Sequence, residues 1–252
     1  MKVTEALEVL TNSLVKDKRV QAIFVKGSVG RGEQDEHSDL DLYCLVDQDD
    51  LSDFLLSRID HLETYGKLLF YDDIYIIAPQ IIAVYENMLH VDLFTVTEEI
   101  FVEKDYFKVI YDPYNRLERF EASQTLRLSP EEFQDAVDDI AWFLFQYKKS
   151  SARGNDLWSV NMLNHVMTHL AKVLLHRYRP EQAQLGLKVL ESSLPDAIIE
   201  NVRQIQENLT PQKHQIACVL LRDLLKKESD WILNEVGNPD KIYPLWKLMV
   251  VC

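Results

Sequence analysis

The feature that most constrains this chain is a glycine loop between two apolar runs. It reads Lys26-Gly27-Ser28-Val29-Gly30-Arg31-Gly32 and, after a short acidic linker, Ser38-Asp39-Leu40-Asp41-Leu42. Val20 to Val25, in front of the loop, is apolar, β-branched and aromatic, and predicts a buried strand. Asp39 to Val46, behind it, predicts a second strand. Side chains alternate along a strand, so Asp39 and Asp41 share one face, about 7 Å apart. Leu40, Leu42, Cys44 and Val46 share the other face and point into a core. Two carboxylates side by side repel each other and need compensation. A divalent cation supplies it, and carboxylate oxygens are ligands that Mg²⁺ prefers. The glycines and Ser28 leave backbone N–H groups to face an anion, as phosphate-cradling loops do. A phosphate cradle beside metal carboxylates points to phosphoryl or nucleotidyl chemistry. A Walker A loop is excluded, because no Gly-Lys-Ser/Thr follows the glycines, and their order at 27, 30 and 32 does not fit a dinucleotide fingerprint.

Gly27-Ser28, ten intervening residues and then Asp39-Leu40-Asp41-Leu42 together resemble the signature of the polymerase-beta-type nucleotidyltransferase superfamily. In that superfamily a third carboxylate comes from a later strand. Asp92, in Leu89-His90-Val91-Asp92-Leu93-Phe94, is the candidate here, and a buried Asp among apolar neighbours is costly unless paired or metal-bound. The resemblance implies a nucleoside triphosphate substrate and one or two Mg²⁺ ions held by Asp39, Asp41 and Asp92. It implies phosphate binding by Gly27 and Ser28. Asp92 has two readings, inner metal ligand or acceptor of the substrate hydroxyl's proton. Arg31 also has two: a contact to the triphosphate, or a surface arginine answering Glu33, Asp35 and Glu36.

Charge narrows the partners. Over 252 residues there are 27 basic and 41 acidic side chains, a net charge of −14. Residues 1–120 hold 24 acids and 12 bases, whereas 121–252 hold 17 and 15, so the acidity belongs to the half with the motif. That argues against a nucleic-acid partner, whose phosphates must be neutralised by Lys and Arg, and suits a small cationic acceptor. Cys44, Cys218 and Cys252 show no pairing pattern and read as reduced residues of a cytoplasmic protein. No apolar run reaches the 18 residues of a membrane span, and the acidic N-terminal residues do not read as a signal peptide.

Along the chain, Thr4 predicts the cap of a first helix, and Leu51 to Leu62 an amphipathic one. Strand-like runs follow at Lys67 to Tyr71, Ile74 to Ala78, Ile81 to Tyr85, Leu89 to Thr95 and Lys108 to Tyr111, with Asp72-Asp73 and Pro79-Gln80 as turns. Ser129-Pro130-Glu131-Glu132 is a helix start. Helical spacing then continues through about Asn155 to Tyr178, Glu181 to Ser192, Pro195 to Asn208 and Gln212 to Val236. The expected fold is α+β: a mixed-sheet nucleotidyltransferase domain over 1–120, then an all-α helical bundle over 121–252.

A head of this kind with a helical tail is similar to the antibiotic nucleotidyltransferases that modify lincosamides and aminoglycosides, with Tyr111-Asp112-Pro113, Trp142, Lys148-Lys149 and Arg153-Gly154 most like the lincosamide type. The likeness implies AMP transfer from ATP to a hydroxyl of a small molecule, and a homodimer. Two other functions fit the head motif. One is attachment of AMP to a protein partner, against which the long helical half counts. The other is a non-catalytic nucleotide-binding module, which would be expected to have lost at least one of the three acids. His165 and His169 have the i, i+4 spacing of a zinc pair but lack the glutamate of HExxH, so a cleft-lining or packed role is expected.

Overall fold

The computed structural model describes residues 2–101 and 105–251; Cys252 lies outside them. The chain divides into two compact units, Met1–Thr125 and Leu126–Cys252.

The first unit runs α1 (Lys2–Leu14), β1 (Val20–Val25), α2 (Gly27–Arg31), β2 (Leu40–Val46), α3 (Leu51–Leu55), α4 (Arg58–Glu63), β3 (Leu68–Tyr75), β4 (Pro79–Tyr85), β5 (His90–Val96) and β6 (Lys108–Tyr111). The six strands form one sheet in the order β3-β4-β5-β2-β1-β6. Among the described residues β2 and β5 alone pair in parallel and the other four pairings are antiparallel, so the sheet is mixed.

Period-two alternation gives this sheet two buried faces. Leu40, Leu42, Cys44 and Val46 of β2 pack with Val91 and Leu93 of β5 and with Val3, Ala6, Leu10 and Leu14 of α1. On the opposite face Ala22, Phe24, Tyr43, Leu45, Phe94 and Val96 form a second cluster. There the Tyr43 ring stacks on Phe94 at 4.3 Å and on Phe24 at 4.9 Å. Asp41 and Asp92 continue this second face toward the strand N-termini, where the aromatic packing gives way to polar groups.

Four local expectations differ from the structure of this unit. Thr4 lies inside α1, which starts at Lys2, and so caps nothing. Asp72-Asp73 is not a turn but the middle of β3, and the chain reverses between Tyr75 and Pro79 instead. On an edge strand with exposed faces aspartates meet no burial penalty, and Asp73 is tied there by the buried Arg58, whose Nη2 lies 2.8 Å from its Oδ2. Pro79-Gln80 opens β4 rather than forming a turn; proline is tolerated as the first residue of a strand. The single helix expected over Leu51 to Leu62 is broken into α3 and α4.

The second unit is helical: α5 (Pro130–Ala152), α6 (Asp156–Tyr178), α7 (Leu190–Ser193), α8 (Asp196–Glu207), α9 (His214–Glu235) and α10 (Pro239–Trp246). A capping box starts α5: Glu132 N–H donates to Ser129 Oγ at 3.1 Å, and Ser129 N–H donates to Glu132 Oε2 at 2.9 Å. Where one helix was expected over Glu181 to Ser192, a 3₁₀ segment, Pro180–Lys188, precedes α7. The core joins Val137, Ile140 and Leu144 of α5 to Leu163, Val166 and Leu170 of α6 and to Leu221, Leu224 and Leu225 of α9. His165 and His169 both stack on Phe143, at 4.6 and 5.8 Å; His165 is exposed on the helix surface and His169 half-buried.

Candidate active site

β1 ends at Val25 and the chain turns at once into α2, whose first-turn N–H groups have no carbonyl one turn earlier to bond. The turn is held by the sheet itself, since Lys26 N–H donates to the Asp41 carbonyl at 3.1 Å. Gly27 is left-handed, at φ +62°, and lies flush against the Asp41 carboxylate; a Cβ there would sit 2.0 Å from Asp41 Oδ2. Ser28 follows, and its Oγ is buried without a hydrogen-bond partner among the described residues. A buried hydroxyl in that condition is a donor awaiting an acceptor.

The parallel pairing of β2 with β5 supplies the acids. Asp41 is in register with Asp92, and Leu40 with Val91, so one position further out Asp39 faces His90. The imidazole of His90 lies between two carboxylates, with Nε2 3.1 Å from Asp92 Oδ1 and Nδ1 3.6 Å from Asp39 Oδ2. The hydrogen bond to Asp92 raises the His90 pKa above its ordinary value; partial burial opposes this, and the charges of Asp92, Asp39 and Asp41 add to the rise. Gln80, buried on β4, donates from Nε2 to Asp92 Oδ1 at 2.8 Å. One ligand atom from each of Asp39, His90 and Asp92 lies within 4.8 Å of the others. Oxygen and imidazole donors at this spacing fit a divalent cation.

On the other side of the loop Lys26 is buried, its ammonium 5.6 Å from the Tyr43 ring centre and 5.5 Å from that of Phe101. Burial pulls its pKa down to about 8, with the negative charge of Asp105 opposing. Arg31, at the end of α2, donates to Glu33 Oε2 at 2.8 Å and to Asp105 Oδ2 at 2.9 Å.

Of the residues singled out from sequence, Gly27 and Asp41 are thus in contact, Asp92 stands in register beside Asp41, and Asp39 joins Asp92 through His90. Arg31 is placed by Glu33, as one reading foresaw, and by the more distant Asp105. Sequence reasoning missed Gln80, taken for a turn residue, and did not single out Lys26. His90 carried a readable signal, since it shares a strand face with Asp92 two residues on.

The glycine loop at the end of β1 thus lies against Asp41 of β2, with Asp92 of β5 in register beside it. Residues 8–122 match the family described as "Nucleotidyltransferase domain", which makes nucleotidyl transfer the reaction class. Among solved structures, an aminoglycoside 6-adenyltransferase from Bacillus subtilis shares 14% identity at a TM-score of 0.40, over 98% of this chain and 98% of that one. A nucleotidyltransferase-like protein from Exiguobacterium sibiricum 255-15 shares 14% identity at a TM-score of 0.43, over 94% of this chain and 78% of that one. No curated protein matches the chain. Among the described residues no helix is long and apolar enough to cross a membrane.

Proposed function

We propose that the protein transfers AMP from ATP to a hydroxyl of a small cationic molecule, of the aminoglycoside or lincosamide antibiotic class. The observation that carries the transfer reading is the contact of Gly27 with the Asp41 carboxylate while Asp92 stands in register alongside. It sets a phosphate-facing loop directly against an acid pair. Asp39, Asp41 and Asp92 would hold one or two Mg²⁺ ions, which when bound neutralise charge at the α-phosphate and on the departing pyrophosphate. The N–H groups of Gly27 and Ser28 and the partnerless Ser28 hydroxyl bind the outer phosphates. Gln80 fixes one oxygen of Asp92 and leaves the other for the cation. Arg31 adds positive charge for the triphosphate while its two carboxylates hold it in place.

A cleft of about 350 Å³ adjoins this group; Asp35, Glu36 and Asp39 line it on one stretch of chain, with Lys2, His37 and His90 also on its wall. Its acidic wall supports a cationic acceptor. The free thiols of Cys44 and Cys218 support a cytoplasmic location. A homodimer without nucleic-acid partners completes the reading.

The test is to incubate the pure protein with ATP radiolabelled at the α-phosphate, Mg²⁺ and a panel of aminoglycosides and lincosamides. The expected result is label on one acceptor with equal release of pyrophosphate. Label on a protein instead would favour the partner-modifying reading. No transfer to any acceptor would overturn the proposal.

A further inference from the structure

We propose that His90 is a direct ligand of the active-site cation, together with Asp39 and Asp92, and that its nitrogen makes the site favour Mn²⁺ over Mg²⁺. This rests on the nucleotidyl-transfer reading above, which supplies the cation but assigns only carboxylates to it.

The geometry begins with the strand register. Asp41 beside Asp92 puts the next outward pair, Asp39 and His90, at the open end of the same face. Both ring nitrogens are turned to carboxylates, at 3.1 Å and 3.6 Å. Neighbouring ligands on one cation at about 2.1 Å lie roughly 3.0–3.4 Å from each other. The Nδ1–Asp39 Oδ2 pair, at 3.6 Å, is near that spacing, while Nε2 and Gln80 both hold Asp92 Oδ1 and leave its Oδ2 for the ion. An ordinary ion pair needs one nitrogen against one acid. Here Nδ1 can ligate beside Asp39 while Nε2 keeps its hydrogen bond to Asp92, the arrangement by which ligating histidines are commonly oriented. Gln80 serves Asp92 in the same way, restraining one oxygen from outside the shell.

The nitrogen changes which ion is preferred. All-oxygen sites suit Mg²⁺, which dehydrates reluctantly, whereas imidazole adds affinity for first-row transition ions. Mn²⁺ shares the preference of Mg²⁺ for carboxylate oxygen but, as a transition ion, takes a nitrogen donor more readily, and it supports the same phosphoryl chemistry.

The experiment titrates Mn²⁺, in the presence of a non-hydrolysable ATP analogue, into wild type and His90→Gln. Free ion is read by electron paramagnetic resonance and bound nitrogen by electron spin-echo modulation, with circular dichroism to check the fold. The expected result is modulation from one imidazole ¹⁴N in wild type, lost in H90Q, with Mn²⁺ affinity falling ~10-fold or more. Mg²⁺, read by its competition with Mn²⁺, should lose less. Equal Mn²⁺ affinity and no nitrogen coupling would overturn the role of His90 and leave the transfer reading standing. A folded wild type that binds no Mn²⁺ at all would overturn both.

Discussion

Two glycines of the same loop separate backbone strain from active-site geometry. Gly27 and Gly32 are both left-handed, at φ +62° and +73°. An L-residue in that conformation costs about 1–2 kcal/mol, so Gly27→Ala and Gly32→Ala share this part of their penalty. They differ in the space a methyl group meets. At Gly32 nothing lies within 4 Å, whereas at Gly27 the new carbon would sit 2.0 Å from Asp41 Oδ2 and 3.1 Å from its Cγ. The Asp41 carboxylate must move by an ångström or more to restore ordinary contact. A misplacement on that scale is worth ~100-fold in rate. Each kcal/mol lowers the melting temperature by about 2–4 °C in a chain of this size. G32A should therefore melt a few degrees lower and keep its turnover within about threefold, while G27A should lose ~100-fold or more in kcat. Melting curves and labelled-ATP turnover on the two proteins decide it. Equal activity in G27A and G32A would refute the placement of Asp41 against the loop.

The remaining tests follow from the same geometry. Asp39→Asn and Asp41→Asn should each abolish nucleotidyl transfer while leaving the circular dichroism spectrum intact, and Asp92→Asn should lose at least ~100-fold. Wild-type rates in D92N would move the third acid elsewhere. Ser28→Ala should raise KM for ATP about tenfold, from a lost hydrogen bond to phosphate of roughly 1.5 kcal/mol or more; its melting point should not fall, because the hydroxyl has no partner among the described residues. The Asp17 carboxyl, held by Arg19 at 2.5 Å and by His61 at 3.1 Å, lies well below its ordinary value of 3.8. Its stabilisation is complete above that value and fades as pH falls below it. Asp17→Asn should cost ~1–2 kcal/mol at pH 7, and the variant should show a shallower stability loss than wild type between pH 4 and 2 in urea titrations.

Much of the site was legible because it is built from local pattern. The alternation of acids and apolar residues through Asp39 to Val46 fixes which face each occupies, and the mixed sheet leaves that parity intact. His90 and Asp92 follow the same rule. What sequence could not provide was pairing. Nothing in Pro79-Gln80 announces that Gln80 will sit opposite Phe94 and reach Asp92, because that contact comes from strand register rather than from its neighbours in sequence. Asp72-Asp73 misled for a related reason, since the turn propensity of aspartate loses its force on an exposed edge strand with Arg58 beneath it. Pro239 and Pro244 hid α10, which is anchored by the buried Trp246, whose Nε1–H donates to Ser229 Oγ at 3.0 Å.

The central claim is that the acids and the glycine loop act together as one metal-nucleotide site. It is tested most directly by isothermal titration of α,β-methylene-ATP into wild type and D41N, each with and without Mg²⁺. Wild type should bind in the micromolar range with Mg²⁺ and not without it, and D41N should not bind in either case. Binding of equal strength in all four titrations would contradict it.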